Sequence, residues 1–234
     1  MVARAALYLC GQPQVGLEIA IRALGLRGEV LLPSFTFVAT AHALQWRGAT
    51  PVFCDIRPDT HTLDPSCIED LIAPQTTAIG VRLWGQPCEI DALTELAWSR
   101  ELRLLFDAAH GFGCSHNGRL IGDFGDAEVF SFHTTKVFNT MEGGAITTND
   151  DQVARRCGLM RNFGFAGYDQ VDSVGSNGKM NEASAAVGLT NFDCVDSFIA
   201  PNRSNYQRYR AGLATIPGIR LRPNAFRKFH DGAS

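Results

Sequence analysis

Short apolar runs alternate with helical spacing along the first 150 residues of this 234-residue chain. Six β-branched or apolar runs predict strands, at 29–33, 50–55, 78–83, 102–107, 127–132 and 145–148. Apolar residues at helical spacing predict four helices, at 15–24, 39–45, 65–72 and 90–101. The first precedes the first predicted strand, and the third has Asp64 as its N-cap. Strand–helix repeats of this kind form a mostly parallel, buried sheet covered by helices. The chain is therefore predicted to be an α/β protein with three α/β/α layers.

The last third of the chain has a different pattern. From 181 to about 213 the apolar spacing predicts long helical structure, interrupted or kinked at Pro201 because proline lacks an amide donor. The tail at 217–234 has no convincing periodicity, and no linker separates two complete domains. One large domain is expected.

Composition narrows the class of function. The chain is 45% hydrophobic and 19% charged, as expected of a soluble globular domain with a sizeable core. Its formal net charge is −3 and its basic residues are scattered, which argues against a nucleic-acid or anionic-membrane surface. No apolar run approaches the roughly 20 residues that span a bilayer. Small-molecule chemistry is the expected role.

The cysteines indicate a reducing compartment. There are seven, an odd number, widely spaced, with no C-x-x-C pair and no secretory signal segment. This pattern favours reduced thiols in a cytoplasmic protein. No metal site is expected, because a structural zinc site needs ligands clustered in the sequence.

Lys136 is the first candidate for chemistry. It lies in an apolar stretch, SFHTTKVFNTMEGG at 131–144, which follows a predicted strand and ends in glycines. Partial desolvation disfavours the ammonium form, which lowers the pKa and frees the amine as a nucleophile toward a carbonyl such as that of pyridoxal phosphate. The alternative is an ordinary loop lysine whose ammonium extends to water.

An acid and a phosphate site would be needed beside such a lysine. Asp107 ends an apolar strand, where a pyridinium N–H could pair with its carboxylate; the alternative is that it caps the next helix. For a phosphate, Ser131 offers a hydroxyl at a strand end and the turn at 142–144 offers flexible backbone. The helix that begins near Val15 offers free amides.

Two rings could lie near the cofactor. Phe37 follows a turn at the end of a strand and could stack on the cofactor ring, although an aromatic residue there is more often core. His110 follows Asp107 closely and could lie near the ring, or could be a satisfied histidine in a helical turn.

Six sequence blocks, given below in chain order, make the chain resemble the sugar aminotransferase family often called DegT/DnrJ/StrS, within the fold type I pyridoxal phosphate superfamily. The resemblance runs from about 16 to 213. The blocks are PSFTFVAT at 33–40, GATPV at 48–52, WGQP at 84–87, DAAH at 107–110, the 131–144 stretch, and NGKMNE at 177–182.

The resemblance implies a role for each matching position. Lys136 would be the Schiff-base lysine, and Asp107 would pair with the pyridine nitrogen. The other implied cofactor contacts are Phe37 on the ring, His110 near it and Ser131 at the phosphate. A residue at the position of Asn177 reaches the partner's cofactor phosphate in this family, so a homodimer is implied.

The resemblance also implies the reaction. The expected activity is pyridoxal phosphate-dependent transfer of an amino group, from glutamate, to a nucleotide-linked keto-sugar in amino-sugar biosynthesis. Lys136 argues against the family's sugar dehydratase branch, which has histidine there. The alternative is a truncated, inactive remnant or a cofactor-binding module without turnover.

The chain departs from the family pattern in three places. Gln12-Pro13-Gln14 replaces the usual Asn, Gly or Ala, Thr, and the proline removes one amide donor from the phosphate loop. Arg82 and Trp84 replace a usual histidine and tyrosine. Both ends resemble the family least, so we expect a truncated or frame-shifted copy, with a large domain at 1–215 and a remnant of the connection to a small C-terminal domain at 216–234.

Overall fold

The computed structural model of the chain describes residues 6–74, 76–81 and 88–221. In these ranges seven strands form one sheet, in the order β1-β9-β8-β5-β4-β2-β3. The strands are β1 (Ala6–Cys10), β2 (Glu29–Pro33), β3 (Thr50–Cys54), β4 (Thr77–Val81), β5 (Leu104–Asp107), β8 (Ala127–Ser131) and β9 (Gly144–Thr148). A separate small hairpin pairs β6 (Ser115–His116) with β7 (Arg119–Leu120).

The sheet is mostly parallel, as predicted. From β3 to β8 every neighbouring pair is parallel, whereas β9 is antiparallel to both β8 and β1. Parallel strands put their carboxyl ends at one edge, so the residues that end β2, β5 and β8 lie at the same edge. Asp107 ends β5 and Ser131 ends β8.

Helices cover both faces of the sheet. They are α1 (Pro13–Ala23), α2 (Val38–Trp46), α3 (Ile90–Ser99), α4 (Asp151–Arg161) and α5 (Glu182–Leu213). One core cluster contains buried apolar residues of α1, α2 and α4, and a second contains those of α3 and the segments beside it. The three-layer α/β/α prediction is confirmed. None of the helices in the described ranges is long and apolar enough to cross a membrane.

The predicted helix at 65–72 is wrong. The structure has two 3₁₀ segments there, Pro65–Cys67 and Glu69–Leu71, joined by i→i+3 bonds such as Ile68 N–H to the Pro65 carbonyl. Pro74 cannot continue a helix, and the two short 3₁₀ segments end before it. Asp64 caps the first segment as predicted, accepting from the Ser66 amide.

The predicted interruption at Pro201 is also wrong, whereas the alternative of a kink there stays a prediction. α5 continues from Glu182 to Leu213 with Pro201 inside it. Proline deprives the carbonyl four residues earlier, that of Ser197, of its helical donor. Ser197 and Pro201 are both exposed, so water can satisfy that carbonyl and the helix continues. The proposed domain boundary at 215 stays a prediction, because 222–234 lie outside the described residues.

Candidate active site

Asp107 is buried at the end of β5, with 6% of its surface exposed. Its Oδ2 accepts a hydrogen bond from Thr40 Oγ1 at 2.7 Å, and its Oδ1 accepts one from the Ala109 amide at 3.1 Å. The segment that follows, 108–114, contains turns and no helix. The alternative that Asp107 caps a following helix is therefore wrong: its side chain closes a turn and leaves a buried carboxylate at the sheet edge.

Lys136 lies in the loop that connects β8 to β9, and its side chain is partly buried. Its Nζ is 2.7 Å from Nε2 of His110, which follows Asp107 in the turn after β5. The alternative of a loop lysine reaching freely into water is not what the structure shows. The fold brings Lys136, His110 and Asp107 together from two neighbouring parallel strands.

Burial opposes the charge on both Lys136 and Asp107. It lowers the pKa of Lys136 below its ordinary 10.5, and the negative charge of Asp107 partly offsets this. Burial also raises the pKa of Asp107 above 3.8, while the Thr40 hydroxyl, the Ala109 amide and the Lys136 charge act to lower it. A lysine with a lowered pKa has more neutral amine at physiological pH, as a nucleophile requires.

The loop that carries Lys136 is held at both ends. Ser131 and Gly144 pair directly in the β8–β9 register. The Phe132 amide donates to the Gly143 carbonyl at 2.7 Å, and the Thr140 amide donates to the Phe132 carbonyl at 2.9 Å. Within the loop, Phe138 is buried against other aromatic rings, those of Phe112 and Phe132. The backbone around Lys136 is thus fixed by strand pairing and by an apolar anchor.

The protein groups that could bind a phosphate lie close to this loop. Ser131 is buried, and its Oγ accepts from the His133 amide at 3.4 Å. A Cβ on Gly144 would lie 3.0 Å from Pro13 Cα, so the glycine turn abuts the beginning of α1. α1 starts at Pro13 with Gln12 as an N-cap that makes no side-chain capping bond. Helix geometry leaves the amides of residues 14 and 15 free of intrahelical partners, so two donors remain despite the proline.

Phe37 and Asn177 are both exposed. Phe37 is the N-cap of α2 and is 73% exposed, so the alternative that it belongs to the core is wrong. Asn177 pairs with Asn162 through an isolated β-bridge beside the end of α4. The described contacts do not join Asn177 to Lys136, His110 or Asp107. The block at 84–87 and Arg82 lie outside the described residues.

Sequence reasoning missed the two threonines behind Asp107. Thr36 and Thr40 occur in the PSFTFVAT block, but no role was inferred for them. Their Oγ1 atoms are 3.1 Å apart, and Thr40 contacts Asp107. Their spacing of four residues across the predicted start of a helix was the available signal.

A cleft of about 440 Å³ opens beside Lys136, between its loop and α5. Its lining combines carboxamides with an aromatic ring: Thr135, Lys136, Val137, Asn139, Asn191, Phe198 and Asn202. Asn191 Nδ2 of α5 donates to the Asn139 carbonyl at 2.9 Å, which fastens the loop to the helix. Across the described ranges, no three His, Cys, Asp or Glu side chains gather in a metal-binding arrangement.

Comparison with known proteins gives a consistent match. The model of the DegT/DnrJ/EryC1/StrS aminotransferase family matches residues 12–230. A dTDP-4-amino-4,6-dideoxy-D-glucose transaminase of Shigella dysenteriae is 40% identical over 208 residues, 88% of this chain and 57% of the relative. A GDP-perosamine synthase of Escherichia coli O157:H7 is 36% identical, over 86% of this chain and 57% of the relative.

A solved structure shares the fold. The crystal structure of DesI in the presence of its TDP-sugar product superimposes with a TM-score of 0.88 at 47% identity. The match covers 93% of this chain and 56% of the DesI chain. The chain thus spans a little over half the length of the relatives that it matches.

Proposed function

Because this chain belongs to the DegT/DnrJ/EryC1/StrS aminotransferase family, we propose that it carries the cofactor-binding site of a pyridoxal phosphate-dependent sugar aminotransferase. The observation that carries the proposal is the partly buried Lys136, with a lowered pKa, hydrogen-bonded to His110 and facing the buried charge of Asp107. An ordinary surface lysine has neither partner. An amine must be unprotonated to attack an aldehyde, and this environment favours the unprotonated form.

The residues present fit the cofactor. Asp107 is a buried anion at the sheet edge, suited to a pyridinium N–H. Phe37 presents an exposed ring at the start of α2, as a stacking partner would. Ser131 and the free amides of α1 would hold the phosphate, and His110 would lie beside Lys136. When bound, pyridoxal phosphate supplies an electrophilic aldehyde and an electron sink for a carbanion.

The protein's own groups then perform acid–base work. Lys136 in its neutral form would accept a proton from the amino-bearing carbon of the donor, and its ammonium form would deliver a proton to the former carbonyl carbon of the acceptor sugar. His110 holds the amine of Lys136 in place through Nε2. Asp107 would pair its carboxylate with the pyridine N–H, and Phe37 would cover one face of the ring.

The proposed acceptor is a nucleotide-linked keto-sugar and the proposed amino donor is glutamate. The acceptor is supported by the relatives, whose names specify dTDP-, GDP- or TDP-linked sugars. The cleft of about 440 Å³ beside Lys136 has room for part of such a substrate, and its carboxamides are suited to hydroxyl groups.

The proposed assembly is a homodimer in the cytoplasm. Residues 163–174 carry several exposed apolar side chains, with Tyr168 97% exposed, which favours burial against a second copy. Asn177, just beyond this segment, is the residue proposed to reach the partner's phosphate. The cysteines of the described residues are free thiols, which suits a reducing compartment.

The decisive experiment is labelling of Lys136. The purified chain is incubated with pyridoxal phosphate, reduced with borohydride and mapped by peptide mass spectrometry. We expect the label at Lys136, its loss in Lys136→Ala and its retention in Lys179→Ala, an exposed lysine that donates to Asn162. Absence of label at Lys136 would reject the proposal.

A second measurement separates an enzyme from a binding module. Glutamate and a dTDP-linked keto-sugar are added to the loaded chain, and amino-sugar formation is followed by mass spectrometry. Product that depends on Lys136 supports the aminotransferase. Specific labelling of Lys136 without product supports the alternative of a cofactor-binding module without turnover.

A further inference from the structure

Two hydroxyl groups form a chain that ends on Asp107. Thr40, 1% exposed, lies in the first turn of α2 and its Oγ1 is 2.7 Å from Asp107 Oδ2. Thr36 precedes the helix, and its Oγ1 is 3.1 Å from Thr40 Oγ1. The three side chains therefore make a continuous hydrogen-bonded line from the start of α2 to the end of β5.

The direction of this line follows from proton counting. An ionised carboxylate can only accept, so Thr40 must donate its single hydroxyl proton to Asp107. Thr40 then has no proton left for Thr36, so Thr36 must be the donor between the two threonines. Both bonds point toward Asp107, and each polarises the next in the sense that stabilises negative charge.

We propose that Thr36 and Thr40 form a directed hydroxyl relay that keeps Asp107 ionised and oriented, which makes Thr40 a positioning residue of the site. The use of Asp107 toward a pyridinium rests on the proposed function, whereas the relay is a property of this chain whether or not a cofactor binds.

The surroundings of Asp107 show why such a relay is needed. Burial raises the pKa of this carboxyl, and the opposing influences are Thr40, the Ala109 amide and Lys136. Lys136 also contacts His110, which is the other titratable group that faces the site from the described elements. Glu128 on the neighbouring strand β8 directs its carboxylate away, to the amides of Gly122 and Phe124.

The same turn contains the backbone of Phe37. The Thr40 amide donates to the Phe37 carbonyl at 3.1 Å, so Phe37 and Thr40 belong to one hydrogen-bonded turn at the start of α2. The bond from Thr40 to Asp107 joins this turn to the end of β5.

The test uses three variants in the cofactor-free chain. Thr40→Val keeps the shape and removes the hydroxyl, Thr40→Ser keeps the hydroxyl, and Thr36→Val removes the outer donor alone. The pKa of Asp107 is read from its side-chain ¹³C carboxyl signal, which Asp107→Asn identifies. We expect Thr40→Val to raise this pKa, Thr36→Val to raise it less, and Thr40→Ser to restore it.

A second readout measures the consequence for binding. Equilibrium dialysis of pyridoxal phosphate should show about tenfold weaker binding in Thr40→Val, the worth of one charge-assisted hydrogen bond, with recovery in Thr40→Ser. Should Thr40→Val fail to fold, Thr36→Val and Thr40→Ser still give the ordering of pKa values.

The outcomes separate the relay from the proposed function. An Asp107 pKa that does not change in either valine variant would overturn the relay, even if Lys136 is labelled normally. Absence of label at Lys136 would reject the aminotransferase proposal, while a raised Asp107 pKa in both Thr40→Val and Thr36→Val would still establish the relay.

Discussion

Lys136 Nζ and His110 Nε2 lie 2.7 Å apart, although 26 positions separate them in the sequence. One residue comes from the β8–β9 loop and the other from the turn after β5. The contact exists because β5 and β8 are parallel neighbours whose carboxyl ends meet at one edge. His110 therefore holds the amine of Lys136 at this edge.

His110→Leu should slow borohydride-trapped labelling of Lys136 by about tenfold. The leucine fills similar space but offers no hydrogen bond, so the amine loses its fixed position, an effect worth roughly 1.5 kcal/mol. Labelling rates measured by mass spectrometry check this. His42→Leu, an exposed histidine on α2, is the control and should react like the wild type. Equal rates in all three chains would contradict a role for His110.

The reactivity of Lys136 should level off at a lower pH than that of a free lysine. Burial lowers its pKa from 10.5, so Lys136 is fully deprotonated at a lower pH than a free lysine. Asp107 acts in the opposite direction, so Asp107→Asn should lower the levelling pH further. The measurement is the rate of reductive labelling against pH, with N-acetyl-lysine amide as reference. A levelling pH that rises in Asp107→Asn would show that the two groups do not interact as described.

Asp107→Asn should stabilise the cofactor-free chain at neutral pH. An acid whose pKa is raised on folding binds more protons when folded, so the free energy of unfolding falls as pH rises from 3.8 toward the folded value. The amide carries no charge to bury, and it can still accept from Ala109 and donate to Thr40.

Thermal melts at a series of pH values test this. The variant should melt a few degrees higher near neutrality, and the difference should vanish below the unfolded pKa. A lower melting temperature for the variant at neutral pH would mean that the charge of Asp107 stabilises the fold.

Gly143→Ala should distort the lysine loop. An added Cβ would overlap Thr140 Oγ1 and Met180 Cε, so the Thr140 hydroxyl must give up its hydrogen bond to the Glu142 carbonyl and the Met180 side chain must move. We expect a loss of about 1–3 kcal/mol in the free energy of unfolding and slower labelling of Lys136. Gly212→Ala is the matched control, because a Cβ there meets nothing within 4 Å. Denaturant titration of both variants decides the point.

Three of the strands that the sequence predicted share one property: they are buried on both faces, so they stand out in the sequence as apolar runs. β2, β5 and β8 are nearly continuous apolar runs, and their ends placed Asp107 and Ser131 correctly at one edge. The relation of Lys136 to Asp107 followed from family resemblance and from the rule for parallel strands.

The parts that were missed depend on partners distant in sequence or on weak patterns. β1 is an edge strand that exists through its pairing with β9. α4 buries only Val153, Ala154 and Cys157, too few for a clear apolar face, although Asp150 is a capping signal. The contact of Thr40 with Asp107 joins residues 67 positions apart, which local spacing does not encode.

Ser131 and Gly144 are paired across adjacent strands, so residues 132–143 leave and re-enter the sheet at points about 5 Å apart. The entropic cost of closing this short loop is small, and the pairing of β8 with β9 closes it before any ligand binds. The ends of the loop that carries Lys136 are thus joined by contacts of low sequence separation, which cost little entropy to form. His110 and Asp107, by contrast, reach Lys136 only once the strands β5 and β8 have paired.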